Sequence, residues 1–349
     1  MAVAEPLRLT SLSHGAGCAC KLGPSQLHEV LELLGPSVPT DDVIVSEVSG
    51  DDAAVYRLSD GTGAIVTLDF FTPLVDDPFD WGRIAAANAL SDVYAMGGRP
   101  ALALNVAGWP VDVLPLETLA EVLRGGRAIA DTAGVPVVGG HTITTEKEPL
   151  YGMVAVGFAS LDALIRNTGA RPGMALVVTK PIGVGMLTTA GKRGLATDAQ
   201  LADAIATMTS LNDRASRAAV AAGITAGTDV TGFGLLGHLR RLLEASGCAA
   251  TIDASAVPLL AGALDLAQRD VVAGGTKRNH AWLQATTDWG GCTPPEQPLL
   301  ADAQTSGGLL LATDDPGALT SADLDAWVIG ATTDGPPGAI EVTRRLAGS

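Results

Sequence analysis

Two thiols and an ammonium group crowd one short stretch of this chain: Cys18, Cys20 and Lys21 fall inside GAGCACKLG, residues 15–23. The whole chain has four cysteines and five lysines, so this stretch holds a third of them. A neighbouring cation lowers a thiol's pKa and raises its thiolate fraction, and a lysine is a point charge suited to phosphate. Three kinds of chemistry fit. Cys-x-Cys is half of a zinc site, for which His14, Cys248 and Cys292 remain as scattered soft partners. A disulfide within Cys-x-Cys is strained and redox-active rather than structural. The third option is a nucleophilic or chalcogen-handling thiol. Gly15, Gly17 and Gly23 suit a segment that folds over a ligand and then releases it.

Carboxylates form the second constellation. SGDDAAV sets Asp51 and Asp52 side by side before a strand, VTLDFF puts Asp69 in an apolar run, and AGTDVTGFG leaves Asp229 before a glycine-rich turn. Asn88, Ser91 and Asp92 stand at i, i+3 and i+4, hence on one helix face. A carboxylate in an apolar setting costs several kcal/mol unless paired. Mg²⁺ would pair them, since it takes one or two carboxylates together with substrate phosphates. A double Asp at a turn is also an ordinary cap.

Glycine turns supply a third element. TKPIGVGMLTT follows a strand and opens a helix, a geometry that offers backbone N–H groups to anions. It matches neither the dinucleotide fingerprint nor the Walker loop. VVGGHT (137–142) and QTSGG (304–308) are further turns of this kind, mostly structural when taken singly. His141, after Gly139 and Gly140, is the histidine best placed for chemistry. His28 and His238 read as helix residues, Cys248 as a small hydrophobe and Cys292 as a loop residue.

The elements that must position these groups alternate. Strands are predicted at AAVYRL, GAIVTLDFF, PALALNVAGW, VPVVGGHT and YGMVAVGFAS, with helices at 24–35, DWGRIAAANALSDVYAMGG and LETLAEVLRGGRAIADTAG. After a break near LIRNTGARPG the second half restarts with the strand MALVVTKP. It continues through a helical run from Leu201 to Gly223, the helix LLGHLRRLLEASG, the strands AATID and GGLLLAT, and a last hairpin from DAWVIGATTDG and GAIEVTRR. The class is α/β (α+β) with two domains. A mobile Gly/Cys-rich arm covers 1–24, an N-terminal domain 25–163 and a C-terminal α/β domain 164–349.

Net charge is −16. Such a surface repels nucleic acid and anionic membranes, and 4% aromatics leaves little for base stacking. No uninterrupted apolar stretch reaches membrane-spanning length. Few cysteines and no secretory pattern point to the reducing cytoplasm.

Taken together, RLTSLSHGAGCACK, DDAAVY, TLDFFTPLVDDPFDWGRIAAANALSDVYAMGGRP, GGH, LTTA, TDVTGFGLLGHL, GGTKRN and QTSGGLLLA resemble the selenophosphate synthetase (selenide, water dikinase) family. That family belongs to the ATP-binding superfamily of aminoimidazole ribonucleotide synthetase. The resemblance implies mixed sheets flanked by helices, a homodimer formed through N-terminal-domain sheets, and a reaction of ATP, selenide and water giving selenophosphate, AMP and phosphate. It implies Cys18 and Lys21 as catalytic residues on a closing arm, with Asp52, Asp92 and Asp229 as Mg²⁺ ligands. Lys21, Ser49, Gly50, Asp51, Asp69, Asp92, Gly140, His141 and Thr142 would contact ATP, and K⁺ is a further candidate ion. Ala19 and Ala303 stand where relatives often carry glycine and proline.

Overall fold

Burial alternates strictly along TGAIVTLDFF, so β3 (Thr62–Phe71) turns Ile65, Thr67, Asp69 and Phe71 inward and Val66, Leu68 and Phe70 outward. The computed structural model describes residues 8–13, 15, 17, 29–30, 33, 40–45, 51–320 and 324–347. Around β3 a sheet forms from β1 (Val43–Val45), β2 (Ala54–Arg57), β4 (Arg99–Trp109), β5 (Val137–Thr144) and β6 (Leu150–Ser160), in the order β1-β2-β3-β6-β4-β5. β3 and β6 pair antiparallel over their length, from Thr62 opposite Ser160 to Phe71 opposite Tyr151. Only β4 and β5 run parallel. Their connection is a helical crossover, as parallel pairing requires.

Helix α1 (Pro78–Ala95) and the crossover helix α2 (Leu116–Thr132) cover the inner face. The Asp77 side chain caps α1 by accepting from the Asp80 amide at 2.8 Å, and Pro78 follows at the first helical position. Nearly every α1 residue from Trp81 onward is buried, so this helix lies between layers rather than on a surface. Two glycines let the helix pair touch backbone to backbone. A Cβ at Gly82 would stand 1.9 Å from the Val122 carbonyl oxygen, and one at Gly125 2.0 Å from that of Phe79. Trp81 stacks on Trp109 and meets the edge of Tyr151, with ring centroids 6.4 and 6.2 Å away.

The second sheet contains β7 (Ala175–Val178), β8 (Ala226–Asp229), β9 (Ala249–Asp253), β10 (Thr287–Asp288), β11 (Leu309–Thr313), β12 (Trp327–Thr333) and β13 (Ile340–Thr343), in the order β10-β13-β9-β12-β7-β11-β8. It is packed with α3 (Val184–Lys192), α4 (Asp198–Thr209), α5 (Asp213–Ala221), α6 (Gly234–Ser246), α7 (Ala263–Gln268) and α8 (Gly274–Leu283). Both sheets are mixed and flanked by helices, and one apolar core runs through both halves.

Two local expectations change. The predicted last hairpin does not form: β9 lies between β12 and β13, antiparallel to the first and parallel to the second. The helical run from Leu201 divides into α4 and α5 because Ser210 and Asn212 turn their polar groups into the interior. Most of the helix predicted over 24–35 lies outside the described residues. No described helix is long and apolar enough to cross a membrane.

Candidate functional site

The polar stripe of α1 is the hub of the site. Asn88 donates to Asp69 Oδ2 on β3 at 2.7 Å, and its Oδ1 accepts from the Ser306 amide at 2.8 Å. Ser91 Oγ donates to Asp229 Oδ2 at the end of β8, and Thr67 Oγ1 on β3 donates to Asp92 Oδ2, both at 2.5 Å. Asn212 Nδ2 reaches Ser91 Oγ and the Gly307 carbonyl, each at 2.9 Å. One helix face therefore joins the first sheet, the second sheet and the 302–307 loop. Each member of the stripe is buried, so its hydrogen bonds are costly to lose.

A cleft of about 490 Å³ opens beside this stripe. Asp51, Asp52, Asp69, Asp92 and Asp229 line it, together with Thr67, Asn167, Thr228, Thr231, Gly232, Phe233, His238 and Arg241. Thr228 Oγ1 donates to Asp52 Oδ1 at 2.7 Å. Burial drives the Asp52 carboxyl well above its usual range, and the neighbouring charges of Asp229 and Asp51 push the same way; the Thr228 bond and Arg241 oppose them. Among the described residues no three His, Cys, Asp or Glu side chains enclose an ion by themselves. The acidic lining groups are all carboxylates, five crowded together with Arg241 as the one cationic side chain among the lining residues. That is the chemistry of a hard divalent ion completed by ligand oxygens, so Mg²⁺ with a polyphosphate fits the residues present.

The predicted site residues divide into three groups. Asp52, Asp69, Asp92 and Asp229 come together in the cleft. Asp51 also borders it, but its side chain is fully buried and accepts from the Asn167 amide at 2.6 Å and from the Arg166 guanidinium at 3.3 Å. It ties the start of the first sheet to the segment leading into the second half. Gly140, His141 and Thr142 do not line the cleft. They lie on the exposed edge strand β5, where Gly140 is in register with Asp69 through Asn105 and Met153. Three strand spacings put that position about 14 Å from Asp69. Cys18, Lys21, Ser49 and Gly50 lie outside the described residues, as do Cys20 and His14.

Several lining groups escape sequence reading. Thr228 and Thr67 become visible only once their partners are known. His238, read as packing, accepts the Thr231 amide at 3.1 Å and lies against Phe233, with ring centroids 5.4 Å apart. Arg241 stands over the Phe233 ring, 5.1 Å from its centroid. A signal existed here, since TDVTGFGLLGHLRR repeats His and Arg one turn apart beyond Asp229. Cys248 and Cys292 are free and buried, and burial raises both thiols.

The glycine loop at 181–185 is not an open anion site. Gln304 Oε1 accepts the amides of Gly183 and Val184 at 3.2 and 3.1 Å, and Asp302 Oδ2 accepts that of Met186 at 3.2 Å. Asp302 also accepts from Thr276 Oγ1 at 2.8 Å and Gln304 Nε2 at 3.0 Å, yet complete burial pushes its carboxyl up to about 7. Nearby Lys180 is buried with Nζ on the carbonyls of Ser210 and Ser306 at 2.7 and 2.8 Å. Burial lowers its pKa to about 7, against the pull of Asp229.

Asp302 sets a pH dependence. Its folded pKa exceeds the unfolded value near 3.9, so its contribution to stability is fully present below about pH 4 and is lost as pH rises toward 7. Three pKa units correspond to about 4 kcal/mol at most. Asp302→Asn keeps an oxygen to accept from the Met186 amide and turns an amide N–H toward Thr276 Oγ1, reversing that bond, but cannot ionise. Thermal melts from pH 4 to 7.5 should show a flatter decline for the variant than for wild type. Parallel curves would mean that Asp302 does not titrate in this window.

Models of the N-terminal and C-terminal domains of AIR synthase related proteins match residues 50–159 and 171–343. The chain thus belongs to the AIR synthase related family, and among its members it falls with the selenide, water dikinases. The dikinase of Burkholderia ambifaria is 48% identical over 339 residues, covering 94% of this chain and 95% of its own. That of Myxococcus xanthus is 47% identical over 341 residues, covering 95% and 96%. The fold is shared more widely. Thiamine monophosphate kinase from Aquifex aeolicus aligns with a TM-score of 0.65 at 18% identity, over 91% of this chain and 96% of its own. The hydrogenase maturation protein HypE, solved in complex with ATP, aligns at 0.60 with 19% identity over 84% and 85%.

Proposed function

We propose that this chain is a selenide, water dikinase that makes selenophosphate, AMP and phosphate from ATP, selenide and water in the aspartate-lined cleft. The observation that carries the reading is the convergence of Asp52, Asp92 and Asp229, from both halves of the chain, on one concave space. These three would hold Mg²⁺ with the triphosphate. Bound there, the ion would offset the carboxylate and phosphate charge and polarise phosphoryl oxygens.

The residues of the chain do the rest. Asn88 and Thr67 hold Asp69 and Asp92 in place, and Ser91 orients Asp229. Lys21 meets the transferring phosphoryl group as its negative charge shifts. Cys18 holds or delivers the selenium nucleophile, and exclusion of bulk water keeps the phosphoryl group from hydrolysis before selenide attacks. Ser49 and Gly50 directly precede Asp51 and contribute backbone contacts to ATP. K⁺ is a candidate for the same anionic cleft, tested by omitting it from the assay. The reaction belongs in a reducing cytoplasm, where thiols and selenide stay reduced.

A homodimer accords with the outward face of the first sheet, where Val66, Leu68, Phe70 and Phe158 are exposed together. The exposed edge with Gly140, His141 and Thr142 belongs to the same sheet, so any ATP contact they make is with the part of the nucleotide that reaches this surface. Light scattering that gives a monomer at assay concentration would remove the dimer.

The reaction is tested by incubating the protein with ATP, Mg²⁺ and selenide under reducing conditions and following phosphorus by NMR. A selenium-bound phosphate together with AMP is expected. ADP as the sole nucleotide product would indicate a different phosphoryl acceptor, and an unconsumed triphosphate would end the enzymatic reading.

A further inference from the structure

Within the stretch 1–24, the described residues 8–13, 15 and 17 are docked across both halves of the molecule. Leu9 is buried in the core and residues 9–12 form a single 3₁₀ turn. Asp76, in the loop after β3, accepts from the Thr10 amide at 2.9 Å, Thr10 Oγ1 at 2.6 Å and Arg8 Nε at 2.7 Å. On the other side Lys192, in the last turn of α3, donates from Nζ to the carbonyls of Ser13 at 2.6 Å and Gly15 at 3.3 Å. Arg8 also reaches the Gly191 carbonyl at 3.1 Å, a cation at a helix C-terminus.

The docked segment ends at a tight seat. Gly17 is buried at φ +52°, and a Cβ there would stand 2.5 Å from Thr305 Oγ1 and 3.0 Å from Leu74 Cδ1. Thr305 precedes Ser306, whose amide is bound by Asn88 of the site's polar stripe. Cys18 follows Gly17 directly in the sequence.

We propose that Lys192 and Asp76 are positioning residues: they pin the described part of residues 8–17 to the second and first halves respectively, and the chemical step depends on that anchorage. The proposal rests on the proposed dikinase reaction. Neither residue lines the aspartate cleft, so their loss should impair the chemical step rather than nucleotide capture.

The test compares wild type with Lys192→Met, Lys192→Arg and Asp76→Ala. It measures selenophosphate formation, KM for ATP and hydrogen exchange of the peptide spanning residues 8–17. A displacement of about an ångström at a reacting group can cost up to 10²-fold, so Lys192→Met should lower kcat by about tenfold or more. Its KM for ATP should stay within about twofold of wild type, and the peptide should exchange faster. Lys192→Arg, which can still donate to two carbonyls, should recover most of kcat and protection. Asp76→Ala should reproduce the Met phenotype from the other half, which covers a Lys192 variant that fails to fold. Faster exchange with unchanged kcat would overturn the proposal, and so would a lower kcat with unchanged exchange. If wild type itself makes no selenophosphate, the proposed reaction falls, and the exchange comparison alone then decides whether Lys192 and Asp76 hold the segment.

Discussion

Asp229→Asn should lower Mg²⁺-dependent turnover about 10³-fold while leaving the metal-free protein no less stable than wild type. The two halves of this expectation have one cause. Asp229 is 1% exposed and faces Asp52, whose carboxyl is raised by burial and by that neighbouring charge. Without a cation, two buried like charges oppose folding. Asn keeps an oxygen to accept from Ser91 Oγ, so the hydrogen bond survives while the repulsion goes. One effect opposes this gain: the Lys180 ammonium is supported by Asp229. Lys180 can release its proton near neutrality and keep two N–H donors for its two carbonyls, so that loss is the smaller. For catalysis the sign reverses, because an amide oxygen is a poorer ligand than a carboxylate and carries no charge to set against a divalent ion. Metal-assisted charge stabilisation is worth several kcal/mol, and about 4 kcal/mol is a factor of 10³. Turnover followed by phosphorus NMR, with melts at pH 7.5 in chelator and in Mg²⁺, measures both. Wild-type turnover at low Mg²⁺ would remove Asp229 from the ion's ligands.

The same residues show what a linear reading can reach. Asn88, Ser91 and Asp92 are legible as one helix face because their spacing is local and the helix around them is strongly apolar. What that face touches is not legible, since Asp229 lies 138 residues from Ser91 and Ser306 lies 218 from Asn88. Asp51 and Asp52 look equivalent in SGDDAAV. Only the fold separates them, by giving Asp51 the Arg166 guanidinium and the Asn167 amide and giving Asp52 a hydroxyl beside another carboxylate. Likewise, β12 and β13 read as a hairpin because they are adjacent in sequence and each alternates. Nothing local reports that β9 is inserted between them. Glycines at 15 and 17 suggest freedom, yet at 17 the fold needs a small residue, one that fits between Thr305 and Leu74.

Lys21→Ala should reduce kcat at least 100-fold with a much smaller change in KM for ATP. Five aspartates and one arginine, Arg241, line the cleft, and Arg241 is partly committed to the Phe233 ring. Arg166 is engaged with Asp51. Of the other lysines, Lys180 and Lys192 are bound to carbonyls, Lys277 pairs with Asp270 on the surface, and Lys147 is exposed on the turn between β5 and β6. Lys21 is therefore the proposed source of the cation that meets the phosphoryl group as charge develops. Lys21 is four residues beyond the docked Gly17, a backbone reach of up to about 14 Å before its side chain is counted. A charge placed for the transition state typically supplies 10²-fold or more, and it would act on kcat because bound Mg²⁺ would already offset the ground-state triphosphate. Lys21→Arg should restore part of the rate, since it keeps the charge but changes its shape. If Lys21→Ala turned over at the wild-type rate, the positive charge would have to come from a partner chain or a second ion, and the N-terminal segment would act through its thiols alone.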